Sequence, residues 1–407
     1  MKHLLYISLF LILILACSPE RITKNPAKND ATLLTQTTHF DVGENVDLVF
    51  DIESVGPSYL IIKNAYGTSV LAPTKANGRQ FKIPTNYAQK AGPCHWKLIV
   101  GGEILSSGQI NFKFDERQPV NMESYLGPPS IIAGETDFSM FVNAPTDKYD
   151  NPLPNGAAIT INHQFENNVL TETIGVQDMI AWKNIYSTQK AGRILINSTY
   201  KSYSSKEFTT TVFPSNPINF EIDYQRVHNY ADGNQIINFT SSIIKDQFEN
   251  TVSDGTLVYF AIENSEGAKL QTMGSTLNGI ATAKMLHPSQ KENWHVTAYV
   301  VGAAESNNLN IIFKPAILDY EIQFLKKQRR LQVGPLKSFM SQLIPDGITI
   351  KLSLYDQNQR LLTTKTTTSK KGIGTFSLAQ ESQITGTCLA VVHAMGLQKE
   401  QNIYLND

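Results

Sequence analysis

The residues best suited to act at a distance on a partner form a basic run, Lys326-Lys327-Gln328-Arg329-Arg330, followed in the same C-terminal stretch by Lys370 and Lys371. Lys326, Lys327, Arg329, Arg330, Lys370 and Lys371 together would make a contact patch for an anionic glycan, a lipid headgroup or an acidic protein. The same run also suits a solvated strand edge, where lysine discourages pairing with other sheets. From Ile317 to Asp407 there are 11 Lys and Arg against 7 Asp and Glu, while the preceding chain carries 24 against 29. The basic character is thus local. With a formal net charge of -1 there is no overall positive field to recruit nucleic acid.

Catalytic chemistry needs convergent polar residues, and the familiar arrangements are missing. The sequence has no Gly-x-Ser-x-Gly, His-Glu-x-x-His, Cys-x-x-Cys or phosphate-cradling glycine loop. His163, His228, His287, His295 and His393 are scattered in or beside strand-like segments, where a hydrogen-bonded structural histidine is the ordinary reading. Cys94 and His95 are neighbours, but adjacent residues on a strand point to opposite faces and do not converge. The acidic loops at Asp147, Asp150 and Asn151, and at Asp246 and Glu249, lack the closely spaced oxygen ligands of a known calcium loop and read as turns. The expectation is a protein without enzymatic activity, metal or cofactor.

The elements that would position these residues are short alternating runs such as Asn45–Ile52, Ala158–Ile161, Thr256–Ile262 and Ile348–Leu354, separated by Asn, Asp, Gly and Pro. That pattern predicts β-sandwiches. An internal period is also present. A turn followed by an apolar strand recurs at Asn77-Gly78, Asp178-Met179, Asn278-Gly279 and Lys371-Gly372. Gln89, Gln290 and Gln383 each lie eleven residues past the glycine, and Gln189 lies ten past Met179. A strand follows each Gln, and Cys94 and Cys388 occupy equivalent positions on two of them, which makes them separate core thiols. An upstream landmark repeats as Asn155-Gly156, Asp254-Gly255 and Asp346-Gly347.

The run from Lys245 to Phe260, with Asn278-Gly279-Ile280-Ala281-Thr282-Ala283, resembles the bacterial Ig-like repeat of invasin and intimin. Phe40–Leu48 and Ile132–Phe138 also look like the opening strands of macroglobulin-type domains, without a Cys-Gly-Glu-Gln thioester sequence. The expected fold is all-β: four tandem Ig-like β-sandwiches in a rod, at 37–117, 118–215, 216–315 and 316–407, joined at Pro-containing linkers. Val258, Phe260, Phe324, Leu325 and Phe339 are expected to fill cores.

At the other end, Lys2, the apolar run Leu9–Leu15 and Ala16-Cys17 resemble a lipoprotein signal peptide, 1–16, with its lipobox. The resemblance implies acylation at Cys17, and 17–36 reads as a flexible leader without apolar periodicity. The chain is then expected in the bacterial cell envelope, held at the outer membrane by lipid. Two roles fit equally: a stalk and binding surface for adhesion or ligand capture from a protein or glycan partner, or an accessory lipoprotein of an outer-membrane transport or secretion complex.

Overall fold

The computed structural model describes residues 31–54, 56–379 and 383–405. The segment expected to be a signal peptide, Cys17 and the expected leader up to residue 30 lie outside the described residues. The regular structure among the described residues is almost all strand; its helical elements are one turn at Thr85–Ala88 and a 3-10 turn at Lys326–Gln328. Among the described residues no helix is long and apolar enough to cross a membrane.

One strand plan is used repeatedly. In its first copy, Ala31–Leu33, Asp47–Ile52 and Gln80–Lys82 form one sheet. Gly67–Leu71, Ser58–Asn64, Gly92–Val100 and Glu103–Lys113 form the other, and His39–Asp41 runs parallel to the last of these. The first edge of the chain therefore serves both sheets, as in an Ig-like sandwich. The third copy has the corresponding strands, Ile222–Gln225, Ile236–Ser241 and Ile280–Leu286, then Lys269–Leu277, Leu257–Asn264, Glu292–Val300 and Ala304–Pro315 with Tyr230–Ala231 parallel to the last, but pairing of Ile280–Leu286 with Lys269–Leu277 joins them into one eight-stranded sheet. The fourth has Ile322–Leu325, Arg330–Val333 and Gly374–Ser377 facing Leu361–Thr368, Thr349–Tyr355, Gly386–Ala394 and Leu397–Leu405. The second shows the same pairings: Val120–Gly127 on Phe138–Asp147, the hairpin of Ala158–Phe165 with Asn168–Gly175, and Ser130–Ile132 parallel to Phe208–Phe213.

Strand alternation fills the cores. Leu48, Phe50, Leu60, Ile62 and Cys94 close the first; Phe239, Val258, Phe260 and Trp294 the one between Phe220 and Phe313; Leu331, Leu352, Cys388 and Val392 the last. A fully buried aliphatic or aromatic side chain contributes roughly 1.5–3 kcal/mol relative to exposure, so these inward positions dominate stability. Both thiols are free, each in its own core, and burial pushes Cys94 up to about 11 and raises Cys388 as well.

The chain divides into two compact units. One runs through Gly127 and takes in Met140–Asn184 and Leu195–Thr209; the other comprises Pro128–Ser139, Ile185–Ile194 and everything from Thr210.

The repeated sequence landmarks are turn chemistry. Asn278 and Gly279 both have positive φ (51° and 78°), as do Lys371 and Gly372 (51° and 73°), the geometry of a two-residue hairpin turn. Asp178 and Met179 adopt it too, at 49° and 77°, although Met179 stands where the other copies have glycine. The landmark Asn or Asp upstream braces each of these turns. Asn155 accepts from the Asp178 N–H at 3.0 Å, Asp254 from Asn278 at 2.7 Å and Asp346 from Lys371 at 2.5 Å.

Two expectations are corrected. Ala31–Leu33, placed in the leader by its lack of periodicity, is a strand paired with Phe50–Ile52, and Ala31 is buried. Three residues are too few to show a period, and the partner strand supplies the order. Phe324 packs on the last core as expected, but Phe339 is not part of it; its ring lies against Tyr230.

Candidate functional site

Two places carry the unusual side-chain chemistry: the joints between successive sandwiches, and the far end of the last one.

At the first joint the loop after Thr146 folds on itself around Asp147. Its Oδ1 accepts from the N–H groups of Tyr149 (2.8 Å) and Asn151 (3.0 Å), and its Oδ2 from the Asn151 side-chain amide (2.8 Å). Asp150 takes positive φ to close the loop. This internal bracing aims Asn151 at the preceding sandwich. Its Nδ2 donates to the Gln89 carbonyl at 2.8 Å and its Oδ1 accepts from the Ala91 N–H at 2.9 Å. Lys90 Nζ donates to the Tyr149 carbonyl at 2.6 Å. The Tyr149 ring lies over Gly43 and packs on the first core.

The second joint repeats the construction. Asp246 accepts from Phe248 N–H, Asn250 N–H and the Asn250 amide, each at 2.9 Å, and additionally from Ser215 N–H at 2.8 Å. Asn250 donates to the Gln189 carbonyl at 2.7 Å and accepts from Ala191 N–H at 2.8 Å. The Phe248 ring faces Gly134. Burial would raise the Asp246 carboxyl, but the bonds from Asn250, Ser215 and Phe248 outweigh it and hold the group below its usual range. The oxygens a cation would need are thus committed to the protein itself.

These contacts give the periodic glutamines their role: Gln89 and Gln189 present backbone carbonyls to the next sandwich. The Gly-Glu segments at Gly43-Glu44 and Gly134-Glu135, which resemble macroglobulin-type openings, are the cradle for the incoming aromatic ring. Sequence reasoning picked out both landmarks without their use, because a backbone carbonyl leaves no residue signature.

The third joint departs from the pattern. The bridge Lys337↔Leu343 matches Thr146↔Pro152 and Lys245↔Thr251, so Ser338 and Gln342 stand where the other loops have Asp and Asn. Ser338 N–H still bonds Gln342 O at 2.7 Å, as Asp147 bonds Asn151, but contact with the preceding sandwich is aromatic. Phe339 stacks on Tyr230 with centroids 3.8 Å apart and planes 8° from parallel, and His228 meets it edge-on at 4.8 Å.

The basic candidates fall in two places. Lys326–Gln328 form a 3-10 turn in a hairpin at one end of the last sandwich, with Lys326, Lys327 and Arg330 exposed. Arg329 takes positive φ and is half-buried, donating from Nη2 to the Ile384 carbonyl at 3.0 Å and from Nε to Leu378 at 3.3 Å. Arg330 pairs with Ser377, whereas Lys370 and Lys371 sit in the turn beyond the Val333↔Gly374 pair. Three residues of strand, ~10 Å, therefore separate the two groups, and Lys370 and Lys371 belong to the end bearing the Phe339 loop. Spacing in sequence does not show that one hairpin turn and the next lie at opposite ends of a strand.

No family model and no curated protein matches the sequence. Among solved structures the chain is similar to the Escherichia coli adhesin FdeC (13% identity over 71% of this chain and 98% of that one, TM-score 0.48). It is also similar to invasin, a bacterial integrin-binding protein (12%, 92% and 79%, TM-score 0.44), and to Yersinia pseudotuberculosis InvD (11%, 93% and 97%, TM-score 0.40).

Proposed function

We propose that this chain is a non-catalytic envelope lipoprotein, anchored through Cys17, whose tandem Ig-like sandwiches at 37–117, 118–215, 216–315 and 316–407 act as a stalk and binding surface for adhesion or ligand capture. The observation that carries this reading is the duplicated clasp, Asn151 on Gln89 and Ala91 and Asn250 on Gln189 and Ala191. Bidentate amide contacts braced by a buried carboxylate restrict how one sandwich can turn on the next. A joint built this way suits a spacer that presents a surface at a distance. Lys326, Lys327 and Arg330 are the residues to contact an anionic protein or glycan there, and Arg329 holds their hairpin in place.

The test is retention of the full chain on a sulfated-polysaccharide resin. Replacing Lys326, Lys327 and Arg330 together with Gln should lower the salt needed for elution while leaving the melting temperature unchanged. Unaltered retention would reduce the hairpin to an edge device. In cells, Cys17→Ser should abolish incorporation of labelled fatty acid and move the protein out of the membrane fraction; continued labelling would remove the anchor.

A further inference from the structure

The third joint is held from behind by two histidines. Both polar backbone atoms of Tyr230 are gripped: its N–H meets Nδ1 of His228 at 3.2 Å, and its carbonyl meets Nδ1 of His287 at 2.9 Å. An N–H only donates and a carbonyl only accepts, so Nδ1 of His228 is bare and Nδ1 of His287 carries hydrogen. The remaining His228 nitrogen faces Asp232 at 3.4 Å. The His287 side chain has no exposed area, and its Nε2 has no hydrogen-bond partner. The two rings are 5.3 Å apart.

We infer that this joint is a proton-operated coupling, in which protonation of His228 releases the backbone of Tyr230 and with it the stack on Phe339. A second proton on His228 turns its acceptor into a donor pointed at another donor, the Tyr230 N–H. The two cannot share the space, and Tyr230 gives up the position that presents its ring to Phe339. The charged and titratable groups on the packing elements are Asp232, 3.4 Å from His228 and 3.8 Å from His287; Arg226, whose guanidinium lies 4.9 Å over Phe313; Lys314 beside Phe313; Lys337 on the Phe339 loop; and Lys351 and His393, which line one pocket with Asp232. Asp232 supports one added charge, but a proton on Nε2 of His287 would have no acceptor, and burial pushes that imidazole down. Protonation of the pair is therefore linked to opening. Neither polar clasp includes an imidazole in its hydrogen bonds, so the first two joints are built to ignore the same change.

The experiment is hydrogen–deuterium exchange on the full chain at about pH 7.5 and about pH 5, corrected for intrinsic exchange, since histidine charge changes within that window. Protection of the Leu336–Leu343 loop should fall about tenfold or more on acidification, with the Asp147–Asn151 and Asp246–Asn250 loops unaffected. His228→Asn keeps an acceptor that cannot gain a proton and should hold the loop protected at both values; Phe339→Ala should leave it unprotected at both. Equal protection in the unaltered protein at both values, an equal loss at all three joints, or an acid response retained in His228→Asn would each overturn the inference.

Discussion

A methyl group built on Gly43 would stand 2.7 Å from the hydroxyl of Tyr149, closer than non-bonded atoms tolerate. Gly43 also has φ of +85°, a conformation costing an alanine roughly 1–2 kcal/mol. Gly43→Ala should therefore both strain its own turn and displace the ring that closes the first joint. At Gly134 the corresponding distance to Phe248 is 3.5 Å, ordinary contact, so Gly134→Ala should strain only the backbone. Tryptic cleavage after Lys148 is expected to accelerate in the first variant, whereas exchange at the Asp246–Asn250 loop should barely change in the second. Equal loosening of the two joints would refute the ring-on-glycine account.

Removing the Asn250 amide leaves the Ala191 N–H, the Gln189 carbonyl and part of the Asp246 carboxylate without partners. Buried groups stranded in this way cost about 1–3 kcal/mol each, partly relieved where water enters. Asn250→Ala should lower the melting temperature and split a joint unfolding transition into separable steps by calorimetry. Gln189→Ala, which keeps the backbone carbonyl, should do neither.

That contrast marks what the sequence could reveal. Fold class was legible because alternating strands and Asn-Gly turns are local, and Val258 and Phe260 are buried as their alternation requires. The periodic Gln was legible as a landmark, but its function lies in a carbonyl reached by Asn250 from 61 positions away. Phe339 looked like core because a large aromatic side chain usually is; only the Ser and Gln at its loop's bracing positions distinguish a joint that uses stacking. The basic cluster read as one patch because chain distance hides the strand between Arg330 and the Lys370 turn.

Acid should loosen the second joint. Asp246 has its folded value held below 3.8, so the carboxylate's contribution is complete above the unfolded value and is lost as pH falls below about 4 through the lowered folded value. Asp115, held at about 2 by the Arg117 guanidinium, loses its contribution across the same acid range. Asp246→Asn should flatten the part of the stability-against-pH curve below pH 4 at the cost of lower stability at neutral pH. An unchanged slope would show the carboxylate is not the titrating element.

Met179 occupies a left-handed position where its counterparts are Gly279 and Gly372, and its side chain is exposed. Relief of roughly 1 kcal/mol is expected from Met179→Gly, since the strain of a side chain at φ 77° exceeds the glycine's added unfolded-state entropy. A raised denaturant midpoint with unchanged slope is the signature. Gly279→Ala, the reverse manipulation at φ 78° in a turn that already fits, should destabilise.

Within the basic hairpin, Arg329 and its neighbours should separate cleanly. Lys326, Lys327 and Arg330 project outward, whereas the Arg329 guanidinium satisfies the carbonyls of Leu378 and Ile384, which lie on the segment leading into the last buried strands. Hydrogen bonds to a charged donor contribute about 1.5–3 kcal/mol, so Arg329→Gln should lower thermal stability while the triple Gln variant of its neighbours does not. Arg329→Lys keeps the charge but cannot reach both carbonyls in one plane and should recover little of the loss. If Arg329→Lys restored full stability, charge alone would be holding the hairpin, and the two carbonyl contacts would carry no structural weight.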